Sequence, residues 1–316
     1  MLNKIAQNII TAKSIAVICH IRPDADTFGS ALGLYNGLSA IDKRVELFVD
    51  DDLPQRYAFI KNYNKFNTTS FSQNYDAVIS VDSADVERLG KFGKQFLKHK
   101  NSINLDHHIT NTHYAKYNFV KADYSSSCEV ILDLIEILKI PLNFDIALSL
   151  YSGLSTDTGN FSFSNTNERT FSAALKLIKY IGDISSYVYN LYKKTSLNRT
   201  MLLAKVLSNI KMYSENKIAI LYTRYKDLAD MSVPSFDTEG FVDYAINIEG
   251  VKVGCSILEN KPESFKISMR SREKDVSKIC EHFGGGGHKF ASGCKIDGFF
   301  EDVLDELVRA IANAIE

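Results

Sequence analysis

The sequence predicts an α/β protein, with an N-terminal domain built on a parallel sheet carrying helices on both faces and a smaller α/β C-terminal domain. Three observations predict it. Short apolar runs alternate with helical patterns through the first half of the 316-residue chain. Three of those runs end in acid or histidine, as expected at the carboxyl ends of strands where open parallel sheets hold their ligands. Beyond about residue 216 the texture changes to a second set of strands and helices with a glycine-rich stretch among them.

Taken in order, Leu2, Ile5, Ala6, Ile9 and Ile10 recur at helical spacing. Residues 14–19 read as a buried strand and run into H-I-R-P-D-A-D-T-F-G-S at 20–30. A helix follows over about 27–41 on Ala31, Leu32, Leu34 and Leu38, although Gly33 and Gly37 disfavour it. Residues 45–49 are a second strand, closed by the turn-like D-D-D-L-P. The run 77–81 ends in Asp82, and a helix over 86–99 leads to the strand 102–105, which ends in Asp106, His107 and His108. Val130, Ile131, Leu134, Ile135 and Leu138 share one face of a helix over 126–138, stopped by Pro141. The apolar helix 145–154 runs into G-L-S-T-D-T-G-N-F, with Asp157 between small residues. Helical patterns at 168–181, 184–192 and 197–210 follow, so the expected division is a catalytic domain over 1–192, a helical linker over 193–216 and a substrate-binding domain over 217–316. The last part carries strands at 218–222, 251–258 and 265–269, helices at 238–246, 276–283 and 303–315, and F-G-G-G-G-H-K-F-A-S-G-C at 283–294.

Composition narrows the function. A net charge of -1 gives no basic footprint for long nucleic acid, leaving a small anionic ligand met by local positive charge. Hydrophobic residues at 45 % and charged residues at 24 % are ordinary for a soluble globular chain. The start lacks the long apolar core and cleavage site of a signal peptide, and no apolar run approaches the roughly 18 to 20 residues of a membrane span. Five cysteines without a C-x-x-C pair read as buried free thiols of a cytoplasmic protein.

His20, Asp24 and Asp26 fall within seven positions at the end of a buried strand, a costly arrangement unless something positive sits among them. Each motif alone has a bland explanation. Asp26 could cap the next helix, Asp82 could do the same for its own, His107 and His108 could be loop histidines, and Asp157 could form a turn. Four such stretches at strand or helix ends argue for convergence. His20, Asp24, Asp26, Asp82, His107 and Asp157 make a mixed nitrogen and oxygen donor set without thiolate, favouring Mn²⁺ with Mg²⁺ or Co²⁺ as substitutes. Four converging carboxylates carry about four negative charges, which two divalent ions would neutralise. Adjacent side chains diverge, so one of His107 and His108 is expected to be a ligand and the other to face substrate.

In these residues the chain resembles the DHH phosphoesterase superfamily, named for the tripeptide present here as Asp106-His107-His108. H-I-R-P-D-A-D-T-F-G-S resembles its first motif, V-D-S-A-D its second, L-D-H-H its third and G-L-S-T-D-T-G-N-F its fourth. The stretch at 283–294 resembles the associated C-terminal domain with its G-G-G-H, and Ala25 stands where glycine is frequent. The resemblance spans nearly the whole chain and is strongest to the short two-domain branch of nanoRNases and adenosine 3′,5′-bisphosphate (pAp) phosphatases. It implies that His20, Asp24 and Asp82 hold one Mn²⁺ and that Asp26, Asp82, His107 and Asp157 hold the other, with Asp82 bridging. Asp106 would orient a histidine ligand and His108 would touch the phosphate.

The resemblance further implies an active-site cleft between the two domains and hydrolysis by hydroxide attack at two metals. The glycine run is the kind of backbone that approaches an anion closely. Gly285, Gly286, Gly287, His288 and Arg270 are therefore expected to bind a phosphate or nucleotide end, whereas Lys266, Arg272, Lys274 and Lys278 read equally well as surface charge. Expected substrates are nanoRNA, cut to mononucleotides, and pAp, converted to AMP. The partners are thus short single-stranded oligonucleotides and small nucleotides, with no membrane and with a homodimer left open. Cyclic or linear dinucleotides, and a catalytically silent nucleotide-binding protein, are the alternatives.

Overall fold

A computed structural model describes residues 1–69 and 74–315, except the side chain of His288. The chain divides into two units, Met1–Lys194 and Thr195–Glu316.

Six parallel strands form the first sheet among the described residues: β1 (Ser14–Ile18), β2 (Arg44–Phe48), β3 (Phe66–Asn67), β4 (Ala77–Val81), β5 (Ser102–Asp106) and β6 (Tyr117–Val120). Their order is β3-β2-β1-β4-β5-β6. The central strands are apolar at nearly every position because both faces are covered. Successive side chains alternate sides: Ile15 and Val17 join the core under helices Leu2–Thr11, Ala25–Ser39, Ser127–Ile137 and Phe144–Asp157, while Ala16 and Ile18 pack with Leu89, Phe92 and Phe96 on the other face.

Two glycines explain how helix Ala25–Ser39 forms despite its weak propensity. A Cβ at Gly29 would overlap the Ser149 carbonyl oxygen, and one at Gly33 would lie 2.5 Å from Leu150 Cδ2. The close approach of helix Phe144–Asp157 thus offsets about 1 kcal/mol of lost helix propensity per glycine. The helix expected over 86–99 is instead a 3₁₀ segment, Glu87–Phe92, followed by the short helix Gly93–Lys98. Gly90 breaks it with φ 58 and ψ -137, and a Cβ there would lie 2.7 Å from the Asp50 Cβ.

The second unit holds a mixed sheet of β7 (Lys211–Tyr213), β8 (Ile218–Thr223), β9 (Val253–Lys261), β10 (Ser264–Ser271), β11 (Gly286–His288) and β12 (Ala291–Asp297), ordered β11-β12-β10-β9-β8-β7. Only the β8–β9 pair is parallel among its described pairs. Helices Val276–His282 and Phe300–Ile315 bury Val276, Ile279, Leu307 and Ile311 in one core of this unit. From residue 195 onwards, the expected linker is part of the unit. Helix Leu197–Ser208 buries Leu202 and Val206 in its other core, and Lys211–Tyr213 pairs with β8. All five cysteines are buried and free. Among the described residues no helix is long and apolar enough to cross a membrane.

Candidate metal centre

Adjacent strands β1, β4 and β5 end side by side, so topology alone delivers His20, Asp82, Asp106, His107 and His108 to one edge. Asp82 leaves its strand with φ 56, a left-handed conformation uncommon for a residue with a side chain. Helices complete the set. Asp24 caps helix Ala25–Ser39, its Oδ1 accepting from the backbone N–H of Asp26 and of Thr27, both at 3.0 Å. Asp24, and not Asp26, is therefore the cap, which removes the bland explanation for Asp26. Asp26 lies inside the first turn, buried, and accepts from the Ser127 N–H at 2.7 Å and the Cys128 N–H at 3.1 Å. Asp157 ends helix Phe144–Asp157, where the unsatisfied carbonyls already make the surroundings negative.

The six expected ligands fall into two groups that meet at Asp82. His20 Nε2 lies 3.8 Å from Asp24 Oδ2 and 3.5 Å from Asp82 Oδ2. His107 Nε2 lies 3.4 Å from Asp157 Oδ2, 3.6 Å from Asp82 Oδ1 and 3.8 Å from Asp26 Oδ2. The two oxygens of Asp82 thus face different histidines. These separations exceed hydrogen-bond length, but donors at about 2.1 Å from a shared cation stand about 3 to 4 Å apart. Three triads have donor atoms within 4.8 Å of one another: His20, Asp24 and Asp82; Asp26, His107 and Asp157; and Asp82, His107 and His108.

Local chemistry also asks for a cation. The buried Nε2 of His20 has no hydrogen-bond partner among the described residues, while Nδ1 lies 2.8 Å from the Ile21 carbonyl and 3.1 Å from an Arg88 nitrogen. With Nδ1–H donated to Ile21, the Nε2 lone pair points among the carboxylates. Burial, then the charges of Asp82, Asp157 and Asp24, push the Asp26 carboxyl well above its ordinary range. Burial lifts Asp157 to about 7 against the pull of His107. Asp82 is held low despite burial, because His20, His108 and His107 favour its charge. The donor set has the chemistry that a divalent cation takes: His20, Asp24 and Asp82 form one group that could hold an ion and Asp26, His107 and Asp157 another, with Asp82 Oδ1 3.6 Å from His107 Nε2.

Asp106 does not orient a ligand of those two groups. Fully buried, it accepts from His108 Nδ1 at 2.8 Å and from Asn111 Nδ2 at 2.6 Å, while His107 Nδ1 faces the Tyr124 carbonyl at 3.3 Å. Burial alone would lower the His108 pKa, but the bond to Asp106 and the charge of Asp82 raise it to about 9.

Sequence reasoning missed Ser127, whose hydroxyl donates to Asp82 Oδ1 at 2.9 Å, and Gly153, where a Cβ would lie 2.8 Å from the Asp26 Cα. The S-S-S-C run at 125–128 was the available signal. In the second unit, Arg270 and His288 are register partners of the same residue, Ala291, on the strand between them. Arg270 Nη1 donates to the Met269 carbonyl at 3.0 Å and its Nε lies 3.7 Å from Asp243 Oδ1. The glycine run is partly a hairpin: Gly286–His288 pairs with β12, and a Cβ at Gly285 would lie 2.5 Å from the Cys294 Cβ. The His288 side chain lies outside the described residues.

Residues 14–154 match the DHH family, N-terminal domain, and residues 217–316 match the DHHA1 domain. The bifunctional oligoribonuclease and PAP phosphatase NrnA of Thermus thermophilus is 29% identical over 309 residues, covering 94% of this chain and 91% of that protein. Its Bacillus subtilis namesake is 26% identical over 316 residues, covering 99% of this chain and 97% of that protein. The crystal structure of an exopolyphosphatase-related protein from Bacteroides fragilis superposes with a TM-score of 0.92 at 25% identity, covering 99% of this chain and 95% of that one.

Proposed function

We propose, from the match of residues 14–154 to the DHH family, N-terminal domain, and of residues 217–316 to the DHHA1 domain, that the chain is a metal-dependent phosphoesterase cutting short RNA oligonucleotides to mononucleotides and pAp to AMP. The names of relatives aligned over nearly their full length support both substrates. The observation that carries the reading is Asp82, whose two oxygens face two separate groups of donors. Two Mn²⁺ ions held there would supply Lewis acidity and a bound water of lowered pKa.

The chain's own residues do the rest. The carboxylates fix the charge balance that lets a phosphate approach an otherwise acidic edge. His108, held by Asp106 and favoured in its protonated form by that bond, is placed to donate to a phosphate oxygen as negative charge grows there. In the second unit, Arg270 offers a guanidinium, and the backbone of Gly285, Gly286, Gly287 and His288 offers a close approach for a phosphate or nucleotide end, the Gly285 N–H itself being taken by the Cys280 carbonyl at 2.8 Å. The five buried free thiols support a cytoplasmic location.

The test incubates the purified protein and Mn²⁺ with pAp, a labelled dinucleotide, a longer labelled RNA, a cyclic dinucleotide and pyrophosphate, and resolves the products. Preferred hydrolysis of the dinucleotide and of pAp is expected. Preference for the longer RNA, the cyclic dinucleotide or pyrophosphate would overturn the substrate assignment.

A further inference from the structure

We infer that residues 124–128 form the positioning frame of the metal centre, with Ser127 fixing Asp82 and Asn165 tying the frame to Asp157. The inference rests on the metal reading above and deepens it.

This run of residues reaches three of the six candidate ligands directly, His107, Asp26 and Asp82, and Asn165 links it to the main chain of a fourth, Asp157. The Tyr124 carbonyl takes His107 Nδ1 at 3.3 Å, which sets the tautomer whose Nε2 lone pair faces Asp26, Asp82 and Asp157. The N–H groups of Ser127 and Cys128 hold the two oxygens of Asp26. The buried Ser127 hydroxyl donates to Asp82 Oδ1, the oxygen on the His107 side. Asn165 Nδ2 donates to the Ser125 carbonyl and to the Asp157 carbonyl, each at 3.1 Å.

Starting a helix explains only part of this. The Ser126 hydroxyl caps Ser127–Ile137, and Asp26 satisfies two further N–H groups of its first turn. Neither need accounts for the Ser127 hydroxyl on Asp82 or for the link through Asn165. The frame is anchored from outside: Ser125 Oγ donates to Glu129 Oε1 at 2.6 Å, Thr170 Oγ1 donates to Ser125 Oγ at 3.0 Å, and the Arg169 guanidinium lies 3.8 Å over the Tyr124 ring. Helix Glu168–Ile181 thereby holds the segment whose main chain orients the ligands.

Calorimetric titration of chelator-treated protein with MnCl₂ tests this on the wild type, Ser127→Ala and Asn165→Ala. Asn165 is exposed, so its variant folds even if the buried Ser127→Ala does not. The wild type is expected to take up two ions. Asn165→Ala should bind one ion about 10- to 100-fold more weakly, and Ser127→Ala, which frees the shared Asp82, should weaken both by up to that factor, the loss typical of removing a group that orients a ligand. In Asn165→Ala the other ion's affinity and the metal-free melting temperature should stay at wild-type values. Wild-type affinity for both ions in Asn165→Ala, or loss of affinity only in step with lost metal-free stability, would overturn the frame. A wild type that binds no Mn²⁺ would overturn it together with the metal reading. A wild type that binds two ions and cuts neither substrate would remove the substrate assignment and leave the frame standing on the affinities.

Discussion

Replacing Asp157 by asparagine is expected to stabilise the metal-free protein at alkaline pH while removing a candidate metal ligand. Burial, with the charges of Asp82 and Asp24 behind it, lifts this carboxyl from 3.8 to about 7. The folded protein therefore holds the proton more tightly than the unfolded chain. Its contribution to stability is fully present below 3.8 and is lost as pH rises through about 7. That interval corresponds to about 4 kcal/mol at 1.36 kcal/mol per pH unit. The side chain is 32% exposed, so solvent screening reduces the figure to about 2 kcal/mol. Asparagine keeps the shape and lacks the charge. For a domain of this size the gain amounts to about 4 to 8 °C. Differential scanning calorimetry in EDTA should show the first unit of Asp157→Asn melting higher than wild type by that amount at pH 8, and no gain at pH 3. With Mn²⁺ the order should reverse, because only the wild type recovers the full binding energy. An Asp157→Asn protein that melts below wild type in EDTA at pH 8 would refute the reasoning.

Three further outcomes are expected. Asp82→Ala should abolish hydrolysis of pAp and bring metal content below two ions per chain, measured by elemental analysis. Asp106→Asn places an amide group against Asn111 and weakens the hold on His108, so activity should fall about 10- to 100-fold with metal stoichiometry intact. Gly153→Ala puts a Cβ against the Cys128 sulfur and the Asp26 backbone, and should cost about 1 to 3 kcal/mol in urea unfolding as well as weakening metal binding.

The sequence carried the central strands openly, because β1, β4 and β5 are buried on both faces and read as continuous apolar runs. It concealed β3, which is two residues long, and β6, half-buried at every position on the sheet edge. The helix over 86–99 was misread because apolar periodicity does not encode the positive φ that Gly90 adopts. At the site, side-chain chemistry marked the six candidate ligands, but D-x-D spacing could not say which acid starts the helix, and the cap fell to Asp24. The frame at 124–128 acts largely through main-chain N–H and C=O groups, which no side-chain pattern announces. The helix at 197–208 looked like a connector because its burial comes from a strand and helices distant in sequence.

The central claim is that one carboxylate, Asp82, is shared between two metal positions. Anomalous scattering at the manganese edge from crystals grown with MnCl₂ tests it most directly. The account predicts two peaks, one among His20, Asp24 and Asp82 and one among Asp26, Asp82, His107 and Asp157, with Asp82 contacting both. A single peak, or two peaks of which only one touches Asp82, would contradict it.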